Sequence, residues 1–257
     1  MKHRLRSACL KLVQKTPFEH AIKDLVVRFS SSAGAADDRS TFQVIDRCVK
    51  EGSNCIDIGA YRGDILRRLV KRAGKGEIHA VEPILENCEY LRKKFPTVKV
   101  HNLALSDHVG KATFFHALGR PARSGLHKQN YPDPDEQVNE VAIGVATLDT
   151  LIPPGTRIDF VKIDVEGAEL AVLRGGRELI RRWRPIIIFE HAEPAALKFG
   201  DSSESLRQFL TEECGMNISS MQRWLDGGRP YSPDEFHAAR LQHHAMYFIA
   251  YQTIEKE

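Results

Sequence analysis

Short apolar runs alternate with amphipathic segments along the chain from Asn54 onward. The first run is Cys55–Ile58 and the next is Ile78–Glu82, and each precedes a segment whose apolar residues recur at helical spacing. Strands that alternate with helices are typical of βα units, which form a parallel sheet between helices. The pattern therefore predicts an α/β fold for most of the chain.

Later segments continue this pattern and add an interruption. Further strands are predicted at residues 98–103, 158–164, 185–190, 216–220 and 245–251, and a helix is predicted at residues 206–214. Residues 111–115 and 139–145 are predicted to be added antiparallel strands on either side of a polar loop, residues 119–137. We interpret residues 108–146 as an insertion that covers a substrate.

The segment before the first strand has a different character. Residues 1–50 predict helices, which a Ser/Ala/Gly/Asp stretch at residues 30–38 interrupts before Asp38 or Ser40 caps the next helix. We therefore divide the chain into an N-terminal helical segment, residues 1–50, and an α/β domain, residues 51–257. The first helix is predicted to pack on the domain, although an anionic membrane surface is an alternative partner.

Charge and composition narrow the classes of partner. The 37 basic and 34 acidic residues nearly balance at a formal net charge of +3, which gives no case for nucleic-acid binding. No apolar run approaches the roughly 20 residues that an integral membrane segment needs. The five cysteines form no Cys-x-x-Cys pair, which favours reduced thiols and a cytoplasmic location. The oligomeric state stays open, and a homo-oligomer is compatible with the sequence.

A glycine-containing turn follows the first predicted strand. Gly59 allows a sharp turn and the close approach of a ligand, and Gly63 allows tight entry into the next helix. About 20 residues later, Glu82 ends the second strand, where a carboxylate can accept both hydroxyls of a ribose. A nicotinamide nucleotide and S-adenosylmethionine both fit this arrangement.

Two features of the turn favour S-adenosylmethionine. The turn lacks the third glycine that brings a pyrophosphate onto a helix N-terminus. It also contains Asp57, which would repel phosphates but suits a cationic ligand with a free amino group.

At the end of the third strand, the small side chain of Ala104 leaves room for an adenine ring.

The most specific motif occupies residues 159–169, Asp-Phe-Val-Lys-Ile-Asp-Val-Glu-Gly-Ala-Glu, and resembles the signature of the FkbM family of methyltransferases. The resemblance spans about residues 54–191 and includes residues 57–60 with Gly63, 81–83, 102–107 with Gly110, 147–151 and 172–176. It implies a Rossmann-like class I methyltransferase fold, a mostly parallel sheet with an antiparallel C-terminal strand. It also implies methyl transfer from S-adenosyl-L-methionine to oxygen on a sugar, a polysaccharide or a natural product.

The motifs supply the candidate cofactor-binding residues. These are Asp57, Gly59, Ala60, Tyr61, Gly63, Glu82, Pro83, Ala104, Leu105 and Asp164. Tyr61 stands where the family usually has asparagine.

The candidate catalytic residues are Asp164, Lys162 and His191. Lys162 and Asp164 share one face of the fourth predicted strand, and a lysine in such a strand needs a partner. Asp164 ends that strand at the edge where ligands bind, although it could instead favour the N-terminus of the next helix. His191 is a candidate base for a hydroxyl acceptor.

The acceptor is predicted to be a small molecule or a carbohydrate. Arg123 and Ser124 of the polar loop, together with Glu190, are the candidate substrate-binding residues. Asp164, Glu190 and His191 could also coordinate Mg²⁺, but the sequence alone does not establish a metal site. Two alternative functions remain: a nicotinamide-dependent oxidoreductase, and a non-catalytic protein that binds an adenosine ligand.

Overall fold

The computed structural model describes residues 33–131, 133–242 and 246–252. The predicted helices before residue 33 lie outside the described residues, and so does Ala245, the first residue of the last predicted strand. Within the described residues the strands are β1 (Cys55–Ile58), β2 (Ile78–Val81), β3 (Lys99–His101), β4 (Ala104–Leu105), β5 (Gly110–Ala117), β6 (Val138–Ala146), β7 (Phe160–Ile163), β8 (Ile186–His191), β9 (Asn217–Ser220) and β10 (Met246–Tyr251).

The helices alternate with these strands as the sequence pattern predicts. The α-helices of the described residues are α1 (Ala33–Cys48), α2 (Asp64–Ala73), α3 (Leu85–Lys94), α4 (Leu148–Leu151), α5 (Glu169–Gly175), α6 (Arg177–Trp183), α7 (Glu193–Ala196), α8 (Ser203–Gln208), α9 (Met221–Leu225) and α10 (Pro233–Gln242). Short 3₁₀ helices occupy Pro121–Arg123 and Leu197–Phe199, and a π-helical turn occupies Phe209–Glu213.

Seven strands form the main sheet in the order β3-β2-β1-β7-β8-β10-β9. The pairs from β3 to β8 are parallel, whereas β10 runs antiparallel to both β8 and β9. The predicted mostly parallel sheet with an antiparallel C-terminal strand is therefore confirmed. Because β1 and β7 lie in the middle of the sheet, the residues after them open onto its carboxyl edge.

Both faces of the central strands are buried, as expected for a parallel sheet between helices. Ile56 and Ile58 belong to the core on one face, whereas Cys55 belongs to the core on the other. Asp57 shares the Cys55 face and lies beside Lys162 across the β1–β7 pair. These two charged residues mark the point where the apolar core gives way to the carboxyl edge.

A second sheet interrupts the βα pattern where the insertion is predicted. It has the order β4-β6-β5, and β5 and β6 form a long antiparallel hairpin. The loop between them contains the 3₁₀ helix Pro121–Arg123 and pairs back on β5 through Phe115 and Gly125. Its role as a substrate cover stays a prediction.

Three sequence-based assignments need correction. Residues 33–38 were predicted as part of a break, but they belong to helix α1. Asp38 and Ser40, the predicted capping residues, therefore lie inside this helix and not at its start. The predicted strand at residues 98–103 is shorter and is followed by the separate strand β4, which pairs with β6. The predicted helix at residues 206–214 is interrupted, because α8 gives way to a π-helical turn at Phe209.

The remaining fold observations concern membranes and thiols. No helix in the described part of the chain combines the length and apolar character that crossing a bilayer requires. Cys48, Cys55, Cys88 and Cys214 are free thiols, and burial raises the pKa of Cys55 to about 12.

Candidate active site

A cavity of about 410 Å³, here called the first cavity, opens at the carboxyl ends of β1, β2 and β7. Its volume lies within the usual range for small-molecule sites. Nine of the predicted cofactor residues line it: Asp57, Gly59, Ala60, Tyr61, Glu82, Pro83, Ala104, Leu105 and Asp164. The structure thus brings residues from four separate motifs to one cavity.

Gly63 is the predicted cofactor residue that does not line this cavity. It precedes α2 with a φ of 77°. A Cβ at this position would lie 2.6 Å from Cε2 of Phe95 and 2.8 Å from Cδ2 of Leu91. Gly63 therefore allows the start of α2 to pack against α3 and the residue after it.

Gly59 holds the end of β1 close to the end of β7. Its φ is 78°, and a Cβ would overlap the carbonyl oxygen of Asp164 and lie 3.1 Å from its carbonyl carbon. The backbone N–H of Asp164 donates to the carbonyl of Ile58 at 3.1 Å. Glycine is therefore required by the backbone itself, before any ligand is considered.

Glu82 is fixed at the end of β2 by three donors. Its Oε2 accepts from the backbone N–H of Tyr61 at 2.9 Å, and its Oε1 accepts from the N–H of Ile84 at 3.0 Å and from Nδ2 of Asn87 at 3.2 Å. Burial raises the pKa of Glu82, while these hydrogen bonds act in the opposite direction. Oε1 already accepts two donors, whereas Oε2 accepts one and keeps capacity for a further donor from the cavity.

The backbone conformation of Tyr61 suits asparagine, the residue that the FkbM resemblance leads us to expect at this position. Tyr61 has a φ of 45°, in the left-handed region, and the residue is 42% exposed. Asparagine adopts this conformation more readily than tyrosine because its short polar side chain can hydrogen-bond locally. The N–H of Tyr61, not its ring, makes the contact to Glu82.

We expect Tyr61→Asn to raise the free energy of unfolding by up to about 1 kcal/mol, since it relieves part of the left-handed penalty. Chemical denaturation of both proteins measures this difference. Arg184→Asn is the matched control, because Arg184 has a φ of 46° at the end of α6 and does not line the first cavity. A gain at Arg184 but a loss at Tyr61 would contradict the conformational explanation.

Lys162 lies buried between two carboxylates. Its Nζ lies 3.1 Å from Oδ2 of Asp164 and 3.8 Å from Oδ1 of Asp57, and it donates to the carbonyl of Gly59 at 3.4 Å. Burial alone would lower the pKa of Lys162, but the two carboxylates outweigh it and raise the pKa. Burial also raises the pKa of Asp57 to about 6. The predicted pairing of Lys162 with Asp164 is present in the structure.

Asp164 is the centre of a hydrogen-bond network that crosses the sheet. The hydroxyl of Tyr247 donates to its Oδ2 at 2.7 Å, and Tyr247 lies opposite Glu190 in the β8–β10 pair. Burial opposes ionisation of Asp164, but Lys162, Glu190 and Tyr247 together hold its pKa below the usual value. Burial and the charge of Asp164 raise the pKa of Glu190 to about 10. The opposite directions of the two shifts favour an ionised Asp164 beside a protonated Glu190.

Three carboxyl groups are close enough to share a cation. Oxygen atoms of Asp164, Glu166 and Glu190 all lie within 4.8 Å of one another. Hard divalent cations take such oxygen ligands. Glu166 thus takes the place that the sequence-based set assigned to His191.

The structure does not bring His191 to the first cavity. Its Nε2 lies 2.7 Å from Oγ of Ser203 and 3.6 Å from Oε2 of Glu193, and burial lowers its pKa. Side chains alternate along a strand, so His191 points away from the face on which Glu190 lies. A role for His191 as base stays a prediction that this geometry does not support.

A second cavity of about 450 Å³ adjoins the first. Glu166 and Glu190 line both cavities. Of the other predicted substrate residues, Ser124 lines the first cavity and Arg123 lines the second. The loop between β5 and β6 therefore contributes to both.

Several residues of the site were not among the predicted site residues, and three of them carry polar groups that lie at the junction of the cavities or come from distant segments. Asp38 of α1 and Tyr247 of β10 line the first cavity, and Glu166 lies at the junction of the two cavities. Glu166 belongs to the motif at residues 159–169 and has a φ of 57°, a conformation that the sequence did not indicate. Asp38 and Tyr247 lie far from the motifs in sequence, and no local signal singles them out.

The first cavity is strongly acidic. Seven carboxyl side chains line it, against the two basic side chains of Arg62 and Lys162. The carboxyl residues are Asp38, Asp57, Asp64, Glu82, Asp164, Glu166 and Glu190. Burial raises the pKa of Glu166 to about 8 and that of Glu190 to about 10, so five carboxylates remain against the two basic groups near neutral pH. That balance favours a cationic ligand over a polyphosphate.

Comparison with known proteins gives a family match. Residues 57–218 match the family model described as the methyltransferase FkbM domain. A search of curated proteins found no matching sequence.

Several solved structures are similar to this chain. Methyltransferase FkbM from Methylobacillus flagellatus KT has a TM-score of 0.47 and 13% identity; the match covers 91% of this chain but only 60% of that protein. Fibrillarin from Aeropyrum pernix, in complex with S-adenosyl-L-methionine, has a TM-score of 0.45 and 14% identity, with 84% and 74% covered. A TehB-like SAM-dependent methyltransferase from Corynebacterium glutamicum has a TM-score of 0.44 and 12% identity, with 93% and 100% covered.

Proposed function

The chain belongs to the FkbM methyltransferase family, and from that premise we propose that it transfers the methyl group of S-adenosylmethionine to a hydroxyl oxygen. The proposed acceptor is a sugar, a polysaccharide unit or a natural product. The observation that supports this most is the charge of the first cavity, in which five carboxylates remain against two basic groups once Glu166 and Glu190, whose pKa values are raised, are set aside. A sulfonium with a free amino group complements that charge, whereas the pyrophosphate of a nicotinamide nucleotide would be repelled.

The residues of the first cavity fit the parts of S-adenosylmethionine. Glu82 ends β2 with its carboxylate fixed, and Oε2, which accepts one backbone N–H, can accept a hydroxyl of the ribose. Ala104 and Leu105 offer a small apolar surface for the adenine ring. Asp57, buried near Lys162, adds negative charge at the β1 turn.

The cofactor, when bound, supplies a methyl group on a cationic sulfur, and that sulfur is the leaving group when the methyl group is transferred in line. The work left to this chain is to align the acceptor and to receive its proton. In our proposal Asp164 remains ionised and accepts the hydrogen bond of the acceptor hydroxyl. Lys162 and Tyr247 fix the position of that carboxylate through their contacts at 3.1 Å and 2.7 Å.

We expect Glu82→Gln to weaken the binding of S-adenosylhomocysteine about tenfold or more, which corresponds to the loss of a charge-assisted hydrogen bond. Isothermal titration calorimetry measures the affinity, and the melting temperature shows whether the loop that contains Tyr61 is retained. Glu86→Gln is the matched control, since Glu86 is exposed on α3 and does not line the cavity. Equal affinities for the wild type and the Glu82 variant would show that Glu82 does not bind the ribose.

The proposed function is tested by methyl transfer. The protein is incubated with S-adenosyl-L-[methyl-³H]methionine and a panel of sugars and sugar acids, and tritium is measured in methoxy groups that resist alkaline hydrolysis. Label in such methyl ethers supports the proposal. Oxidation or reduction of a nicotinamide cofactor without labelled product would favour an oxidoreductase, whereas S-adenosylhomocysteine binding without any transfer would favour a non-catalytic adenosine-ligand protein.

A further inference from the structure

We propose that the second cavity is the acceptor site and that it selects a hydroxylated compound carrying a carboxylate or phosphate group, held by Arg123 and Lys198. This inference rests on the proposed function, because it takes the first cavity as the place of the methyl donor. It adds the substrate class that the family match leaves open.

The second cavity is lined by three carboxyl side chains and two cationic ones, and Glu169, one of the carboxyl groups, accepts hydrogen bonds from the backbone N–H groups of Val165 and Gly167. Glu166 and Glu190 line both cavities, so their carboxyl groups lie where the cavities meet. Arg123 and Lys198 line the second cavity alone. An acceptor in the second cavity that presents a hydroxyl to the junction therefore shares that cavity with two cationic side chains.

The wall that contains these cations is held in place by hydrogen bonds. Nζ of Lys198 donates to the carbonyl of Lys128 at 3.0 Å and to Oε1 of Gln129 at 2.9 Å. Nε2 of Gln129 in turn donates to the carbonyl of Glu166 at 2.9 Å. The β5–β6 loop is thus tied to the 3₁₀ helix Leu197–Phe199 on one side and to the β7–α5 loop on the other.

Both cations keep donors for an anion. Nη1 of Arg123 donates to the carbonyl of Asn130 at 3.0 Å, which is a neutral acceptor, as are the acceptors of Lys198. Within the described ranges, neither Arg123 nor Lys198 has a carboxylate oxygen within 4.0 Å, the distance that defines an ion pair. The charge of Arg123 does lower the pKa of Glu166 from a longer distance. A guanidinium has five N–H donors and an ammonium has three, so donors remain for a carboxylate or a phosphate.

The proposal is tested by titrating D-glucuronate, D-glucose 6-phosphate and D-glucose into the protein saturated with S-adenosylhomocysteine. We expect at least one of the two anions to bind about tenfold or more tightly than glucose, since charge-assisted hydrogen bonds are the stronger ones. The double variant R123Q/K198Q is expected to lose this preference. Lys128→Gln, the same charge change at an exposed residue of the same loop that lines neither cavity, is expected to keep it.

Three results would overturn the proposal: no binding of either anion, equal affinity for glucose and both anions, or an undiminished preference in the double variant. The affinity for S-adenosylhomocysteine is measured with the same proteins. It shows whether the acceptor-site proposal alone has failed or whether the proposed function has failed as well. Wild-type affinity in R123Q/K198Q together with a lost anion preference supports both proposals. If S-adenosylhomocysteine does not bind the wild type, the proposed function fails, and titration of the free protein with the same compounds still judges the cationic site.

Discussion

Gly59→Ala is expected to lower the free energy of unfolding by about 4 kcal/mol, a loss that single substitutions seldom reach. For a chain of this length the melting temperature would fall by about 10 °C or more. Two causes act together: the φ of 78° disfavours any L side chain, and the new Cβ would overlap the carbonyl oxygen of Asp164. The ends of β1 and β7 would have to separate, which would also widen the first cavity.

Gly52→Ala is the matched control for this prediction. Gly52 has a φ of 84°, but a Cβ there would meet nothing within 4 Å. It should lose only the conformational part, about 1–2 kcal/mol. Thermal and chemical denaturation of the two variants isolates the effect of the overlap. Equal losses would show that the close approach of Gly59 to Asp164 is not needed for the fold.

Asp164→Asn is expected to lower kcat about 100-fold, the effect of removing a positioned group that assists proton transfer. S-adenosylhomocysteine affinity should change far less, because Glu82 and the β1 turn remain. The free energy of unfolding should fall by about 1–3 kcal/mol, since the buried ammonium of Lys162 keeps Asp57 but loses one charged acceptor. Steady-state kinetics on an acceptor from the tritium assay measures the first effect.

Tyr247→Phe is the comparison variant for Asp164→Asn. It removes the hydroxyl that donates to Asp164 at 2.7 Å but leaves the charge of the carboxylate in place. We expect a smaller decrease in kcat than for Asp164→Asn. If Asp164→Asn retains wild-type turnover, or if its loss equals the fraction of unfolded protein, Asp164 has no part in the chemistry.

The parts of the site that the sequence predicted are those encoded locally. Gly59 and Glu82 follow predicted strands directly, and strand ends in a parallel sheet meet at one edge. Lys162 and Asp164 are two residues apart on one strand, so their shared face follows from strand geometry alone. The local sequence pattern therefore predicted a site residue correctly where that residue lies at the end of its own strand.

The parts that the sequence did not predict depend on register and on packing between distant segments. Tyr247 reaches Asp164 because β10 inserts antiparallel beside β8 and pairs Tyr247 with Glu190. Asp38 reaches the first cavity through the packing of α1, which no motif encodes. His191 was expected at the site because it follows Glu190, but adjacent residues in a strand point to opposite faces.

The central claim is that the first cavity binds S-adenosylmethionine, and calorimetric titration with S-adenosylhomocysteine and with NAD tests it most directly. The predicted result is saturable binding of one S-adenosylhomocysteine per chain, weakened about tenfold or more in Glu82→Gln and unchanged in Glu86→Gln, with no binding of NAD. Saturable binding of NAD, or the absence of S-adenosylhomocysteine binding to the folded wild type, would contradict the claim.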